Sequence, residues 1–192
     1  MPLPKIDTYT APTEHTAHDY WNLPADVRAE LIDGKLYDMA PPSFTHQMIV
    51  GGLTQALRNH VKANNGPCKV IPAPFAVNLF ADETTYLEPD VSVICDPSKI
   101  SERGCEGAPD LVVEVVSPSS RRMDYLIKAA RYEQAHVREY WIVDPTEKQT
   151  IVYCFYRYDS EWGWITAYPF DKPIPVGIWD GAASVAIAAL VE

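Results

Sequence analysis

The stretch Leu111-Val112-Val113-Glu114-Val115-Val116 constrains the fold more than any other part of the chain. Apolar residues on consecutive positions leave such a strand no polar face to turn to water. It reads as a central strand covered on both sides. The single carboxylate inside it is then expensive, because an ionised side chain in an apolar interior must be paired, hydrogen-bonded or bound to a metal. Downstream, Ser117-Pro118-Ser119-Ser120 offers caps for a helix to about Ala135. Glu139-Tyr-Trp-Ile-Val-Asp144 follows as a second apolar strand, ended by Pro145. Strand, helix and strand over 111–144 form one crossover. The expected class is α/β, a mixed sheet with helices against its faces.

The remaining segments fit around that unit. Residues 1–13 read as an N-terminal arm and 14–192 as a single domain. Thr16 caps a short helix over 17–23. Two runs on either side of Asp33-Gly34, from Arg28 to Met39, predict a β-hairpin. Ser43 opens a helix to about Asn64, in which Ile49, Leu53, Leu57 and Val61 recur every four residues as one apolar stripe. Asn65-Gly66-Pro67 stops it. Strands are predicted at Lys69–Pro72, Phe75–Phe80 and Asp90–Cys95, followed by a loop holding Pro97, Gly104 and Gly107. Thr150–Tyr158 and Trp162–Phe170 predict an aromatic C-terminal hairpin, and the tail a short final element.

The formal charge of −10 argues against a protein that coats nucleic acid non-specifically, since such binding relies on Lys and Arg displacing counterions. A carboxylate-rich site that holds a divalent cation stays compatible with it. The four cysteines, Cys68, Cys95, Cys105 and Cys154, contain no CxxC pair and predict reduced, partly buried thiols in a cytoplasmic protein. No signal peptide and no apolar run of membrane-spanning length are visible.

Asp90, at a strand start after Pro89, and Glu114 can deliver two carboxylates to one sheet edge, a hard-oxygen site for Mg²⁺ or Mn²⁺. Lys128 forms an i,i+4 pair with Asp124 on the following helix. That pair is either an exposed ion pair or a device that sends Lys128 back over Glu114 to offset developing negative charge. Glu30 in the hairpin and His46 at the head of the long helix can complete the site as an extra ligand or an orienting base. Arg121, Arg122 and Arg131 can meet a phosphate backbone or simply face solvent.

Pro89-Asp90, then Glu114, then a lysine resembles the PD-(D/E)XK nuclease superfamily. More narrowly, the chain resembles the Uma-two family of restriction-endonuclease-like proteins. The matching stretches are Glu30-Leu-Ile-Asp-Gly-Lys-Leu36, His46, Pro89-Asp-Val91, Pro109 to Ser120, Lys128 and Glu139 to Pro145. The resemblance implies a restriction-endonuclease-like core, with helices flanking a mixed β-sheet and a C-terminal β-hairpin. It implies a Mg²⁺- or Mn²⁺-dependent endonuclease acting on DNA as a homodimer. Asp90 and Glu114 would be metal ligands, with the carbonyl of Val115 as a further one, and Lys128 the catalytic lysine. In the superfamily the lysine usually follows the acid by two residues. Val116 stands there in this chain, so the role passes to Lys128 on the next helix. Glu30 matches the acid that the superfamily places near its first helix.

The acidic balance, the shifted lysine and the aromatic hairpin from Tyr153 to Trp164 leave open a non-enzymatic binding or interaction module on the same fold. A glycosidase built on the carboxylate pair lacks aromatics near the acids. The sequence contains no phosphate-binding loop, dinucleotide fingerprint, zinc-protease helix or serine-hydrolase elbow.

Overall fold

The computed structural model describes residues 14–155 and 163–191. The N-terminal arm and residues 156–158 and 162 of the aromatic hairpin lie outside them. In chain order the elements begin α1 (Ala17–Trp21), β1 (Ala29–Ile32), β2 (Lys35–Asp38), α2 (Phe44–Ala63), β3 (Lys69–Pro72), β4 (Val77–Asn78), β5 (Tyr86–Leu87) and β6 (Val91–Ile94). They continue with β7 (Ile100–Ser101), β8 (Gly104–Glu106), β9 (Leu111–Val115), a π-wound turn Met123–Lys128 that runs into α3 (Ala129–Gln134), and β10 (Glu139–Asp144). The chain closes with β11 (Gln149–Cys154), β12 (Trp164–Pro169), β13 (Ile174–Pro175) and β14 (Ser184–Val185).

The main sheet has the order β12-β11-β10-β9-β6-β3. β9 and β10 are parallel, as a crossover through α3 requires, and the other neighbours are antiparallel. All five residues of β9 are buried. Leu111, Val113 and Val115 pack with Ile49, Leu53 and Leu57 of α2 and with Ile174, Val176 and Ile187 of the C-terminal segment. Val112 and Val116 face the other way, onto Ile32, Val77, Leu87 and Tyr132. Each of these side chains contributes roughly 1.5–3 kcal/mol by leaving water, which is why the apolar run can sit only at the centre.

The long helix begins as its capping residue dictates, with Ser43 Oγ accepting the N–H of His46 at 3.2 Å. The first hairpin turns at Asp33 (φ 51°) and Gly34 (φ 74°), the pair of positive dihedrals that a two-residue turn needs.

The main correction is a second six-stranded sheet, β2-β1-β5-β4-β8-β7, lying over the face of the first that carries Val112. The strand expected over Phe75–Phe80 shrinks to Val77–Asn78, and the expected loop around Gly104 contains β7 and β8. Gly104 explains the close joint. At φ 152° its backbone comes so near β4 that a Cβ would lie 2.2 Å from the Ala76 carbonyl oxygen, the same oxygen that accepts the Cys105 N–H at 2.9 Å.

A second correction concerns the cysteines. The antiparallel register pairs Lys69 with Ile94, so the preceding Cys68 stands opposite the following Cys95, and the two are disulfide-bonded. Cys105 and Cys154 stand outside the disulfide, both buried. Among the described residues no helix is long and apolar enough to cross a membrane. Among the described residues, aromatics of the last hairpin find cover within the chain. Trp164 and Tyr168 pack on the α2 side of the main sheet and Tyr153 on the other, while Ile165 on the edge strand stays exposed.

Candidate active site

Glu114 points to the same side of β9 as Val112, into the space between the sheets. Its Oε1 accepts hydrogen bonds from Lys128 Nζ at 2.9 Å and from the Tyr132 hydroxyl at 2.7 Å. Lys128 Nζ also reaches Glu30 Oε1 at 2.9 Å, and Asp124 Oδ1 lies 3.8 Å away. Glu30 comes from β1 of the second sheet, and the same oxygen accepts the Glu88 N–H at 2.9 Å. Glu30, Glu114, Asp124 and Lys128 are each no more than 5% exposed. The Asp124–Lys128 pair is therefore interior, not a surface ion pair. Asp124, Lys128 and Tyr132 recur every four residues along the π-wound turn and α3, and all three are buried.

Asp90 stands just before β6. The ladder between β6 and β9 ends at Val91–Val113, and the Asp90 carboxylate takes the next free donor, with Oδ2 accepting the Val115 N–H at 2.7 Å. Because N–H and C=O of one strand residue point the same way, the Val115 carbonyl opens beside Asp90. His46, in the first turn of α2, places Nε2 3.1 Å from the same Oδ2. The five sequence-predicted side chains thus form two linked groups. Glu30, Glu114 and Lys128 touch directly, and Asp90 with His46 joins them through the backbone of Val115, the residue next to Glu114.

The electrostatics follow from burial and from an excess of acid. Three carboxylates (Glu30, Glu114 and Asp124) surround one buried ammonium. Burial pushes the Glu114 carboxyl well above the usual range, Lys128 opposes that shift, and Asp90, Asp124 and Glu30 add to it. Burial likewise raises Asp124 to about 6, again against Lys128. For Lys128 burial alone would favour the neutral amine, but the three carboxylates outweigh it and hold the ammonium charged well above its ordinary range. His46 behaves similarly. Burial lowers its pKa, and the hydrogen bond and charge of Asp90 more than reverse this.

A hard divalent cation fits the donors present. Both protein contacts to Asp90 fall on Oδ2 and both to Glu114 on Oε1, so among the described residues each carboxylate keeps its other oxygen without a protein donor. Among the described residues no three His, Cys, Asp or Glu side chains gather at ligand spacing. Two carboxylates and a carbonyl, completed by water and phosphate oxygens, suit Mg²⁺.

Sequence reasoning passed over Tyr132 as a plain apolar helix position and over the burial of Asp124. The four-residue spacing from Lys128 was the available signal for both. Ser117 caps the following turn, accepting the Ser120 N–H at 3.1 Å, and does not bond Glu114. Two of the three arginines are committed within the chain. Arg121 pairs with Asp144 at 2.9 Å and Glu147 at 3.3 Å, and Arg131 with Asp33 at 2.6 Å.

The architecture matches a crystal structure of a putative nuclease belonging to DUF820 from Anabaena variabilis ATCC 29413. That structure has a TM-score of 0.69 and 23% identity, covering 92% of this chain and 97% of the other. This likeness bears out the restriction-endonuclease-like fold. The uncharacterized protein slr1290 of Synechocystis sp. (strain ATCC 27184 / PCC 6803 / Kazusa) is 30% identical over 155 residues, which span 79% of this chain and 75% of that protein. Residues 17–175, including every side chain of the cluster, match the model of the family described as Uma2, putative restriction endonuclease, and the chain belongs to that family.

Proposed function

We propose that this chain is a Mg²⁺- or Mn²⁺-dependent endonuclease that hydrolyses phosphodiester bonds of DNA. The observation that supports it best is the shared edge of β9. Glu114 meets Lys128 there, and one residue further on the Val115 N–H holds Asp90. Asp90, Glu114 and the Val115 carbonyl would hold the cation. When bound, such a cation lowers the pKa of a ligand water and polarises a phosphoryl oxygen.

The chain's own side chains supply the rest. Glu30 anchors Lys128 from the second sheet, so the ammonium stays charged and directed at Glu114, where it offsets negative charge that develops on the phosphoryl group. Val115 N–H and His46 together fix the plane of the Asp90 carboxylate. His46 carries its proton to higher pH than a free imidazole, with Nε2 held against the Asp90 carboxylate. A homodimer would bring two such sites to the two strands of a duplex.

The binding module on the same fold is the second reading, favoured by the commitment of Arg121 and Arg131 to acids of the chain. Cleavage of plasmid and oligonucleotide DNA with Mg²⁺ or Mn²⁺ separates the two. Wild type should cut, and Asp90→Ala and Glu114→Ala should lose roughly 10²-fold or more, as expected when a group that stabilises transition-state charge is removed. Equal cleavage by all three proteins, or none by wild type, rejects the endonuclease.

A further inference from the structure

We infer that Tyr132 is a positioning residue that sets which oxygen of Glu114 faces the cation. The inference rests on the metal-dependent reading above and extends it to a side chain that the sequence motif does not contain. Tyr132 is fully buried on α3, four residues beyond Lys128, and its hydroxyl donates to Glu114 Oε1 at 2.7 Å. Lys128 donates to the same oxygen at 2.9 Å. Two donors converging on one oxygen fix both the tilt of the carboxylate and its rotation about the Cγ–Cδ bond. Oε2 is then the oxygen left to act as a ligand, and Glu114 binds through one oxygen only.

The hydroxyl has no competing duty among the contacts of the described residues. Its ring is held separately, packed 4.8 Å from that of Tyr140. Asp90 shows the same arrangement, with Val115 N–H and His46 both on Oδ2. The site therefore presents one free oxygen from each carboxylate, as expected when outer hydrogen bonds orient metal ligands.

Calorimetric titration of the metal-free protein with MnCl₂ tests this without reference to activity. Four proteins are compared: wild type, Glu114→Gln, Tyr132→Phe and Tyr140→Phe. Tyr140 is the matched control. It is equally buried, and its hydroxyl donates to the backbone oxygen of Asp124 at 3.0 Å instead of to a carboxylate. Thermal melts accompany each titration, and loss of either buried hydroxyl should lower stability comparably. The inference predicts carboxylate-dependent binding in wild type, a Kd about 10- to 100-fold weaker in Tyr132→Phe, and a Kd within about twofold of wild type in Tyr140→Phe. Unchanged affinity in Tyr132→Phe, or equal weakening in both tyrosine variants, overturns the positioning role and leaves the metal reading standing. Wild-type binding that survives Glu114→Gln, or no binding at all, overturns the metal reading and the role of Tyr132 with it.

Discussion

Replacing Lys128 by methionine keeps the stem and removes the charge, and the structure fixes what should happen. The ammonium sits 2.9 Å from Glu30 and 2.9 Å from Glu114, and all three side chains are at most 6% exposed. At an effective dielectric of about 20, each contact amounts to roughly 6 kcal/mol of attraction before desolvation is subtracted. Breaking a buried pair typically costs ~3–5 kcal/mol net, because the remaining charge is stranded. Here two carboxylates are stranded, so Lys128→Met should lose at least ~3 kcal/mol at neutral pH. The sign of the pH dependence follows from Glu114. Burial already raises its pKa and Lys128 is what opposes the rise, so the variant's carboxyl titrates higher still. A carboxyl raised in the folded state destabilises the fold above its folded pKa, and that penalty fades as pH falls toward the unfolded value of about 4.3. Urea unfolding at pH about 5 and about 7.5 should therefore show a smaller deficit at the lower pH. MnCl₂ at 100 times its Kd should return ~2.7 kcal/mol, since a bound cation replaces the lost positive charge. Equal stability of variant and wild type at neutral pH, or a deficit that grows on acidification, would refute a buried, charged Lys128.

Three further outcomes follow from other parts of the molecule. Denatured, unreduced protein should titrate two thiols, not four, and the Cys68→Ser/Cys95→Ser double variant should lose about 3–4 kcal/mol by the loop-entropy estimate for a 27-residue separation. In metal-free protein the His46 imidazole, followed by NMR, should titrate above the ordinary value of about 6.5 and drop in Asp90→Asn. The stability gained from that pair is complete below the unfolded pKa and disappears as pH rises through the folded one, so Asp90→Asn should cost less at pH 9 than at pH 6. Gly104→Ala drives a methyl into the Ala76 carbonyl at a positive φ and should cost roughly 2–4 kcal/mol in chemical unfolding, whereas Gly51→Ala, with open space around its Cβ, should not destabilise.

The parts of the fold legible in the sequence are those whose signal is local. Val112 to Val116 are buried on both faces because no polar residue but Glu114 interrupts them, and the stripe Ile49, Leu53 and Leu57 fixes which face of α2 meets the sheet. The second sheet was not legible. β4, β5 and β7 are two residues long, too short for any periodicity, and they exist because distant segments pair with them. The disulfide was hidden for a related reason. Nothing near Cys68 points to Cys95, and only the register of β3 on β6 sets them opposite each other. At the site, Glu114 was legible because a charge in an apolar run demands a partner. Tyr132 was not, because a tyrosine among apolar helix positions demands none. The winding of Met123–Lys128 likewise left no mark in the spacing, as the four-residue recurrence of Asp124, Lys128 and Tyr132 also suits an ordinary α-helix.

Crystals of the metal-free protein soaked in MnCl₂, with diffraction recorded at the manganese edge, test the central claim most directly. The account predicts one anomalous peak at the edge of β9, about 2.1 Å from Asp90 Oδ1, Glu114 Oε2 and the Val115 carbonyl oxygen, with Lys128 still bonded to Glu30. A peak elsewhere, or none at Asp90 and Glu114 at a Mn²⁺ concentration that supports cleavage, would contradict it.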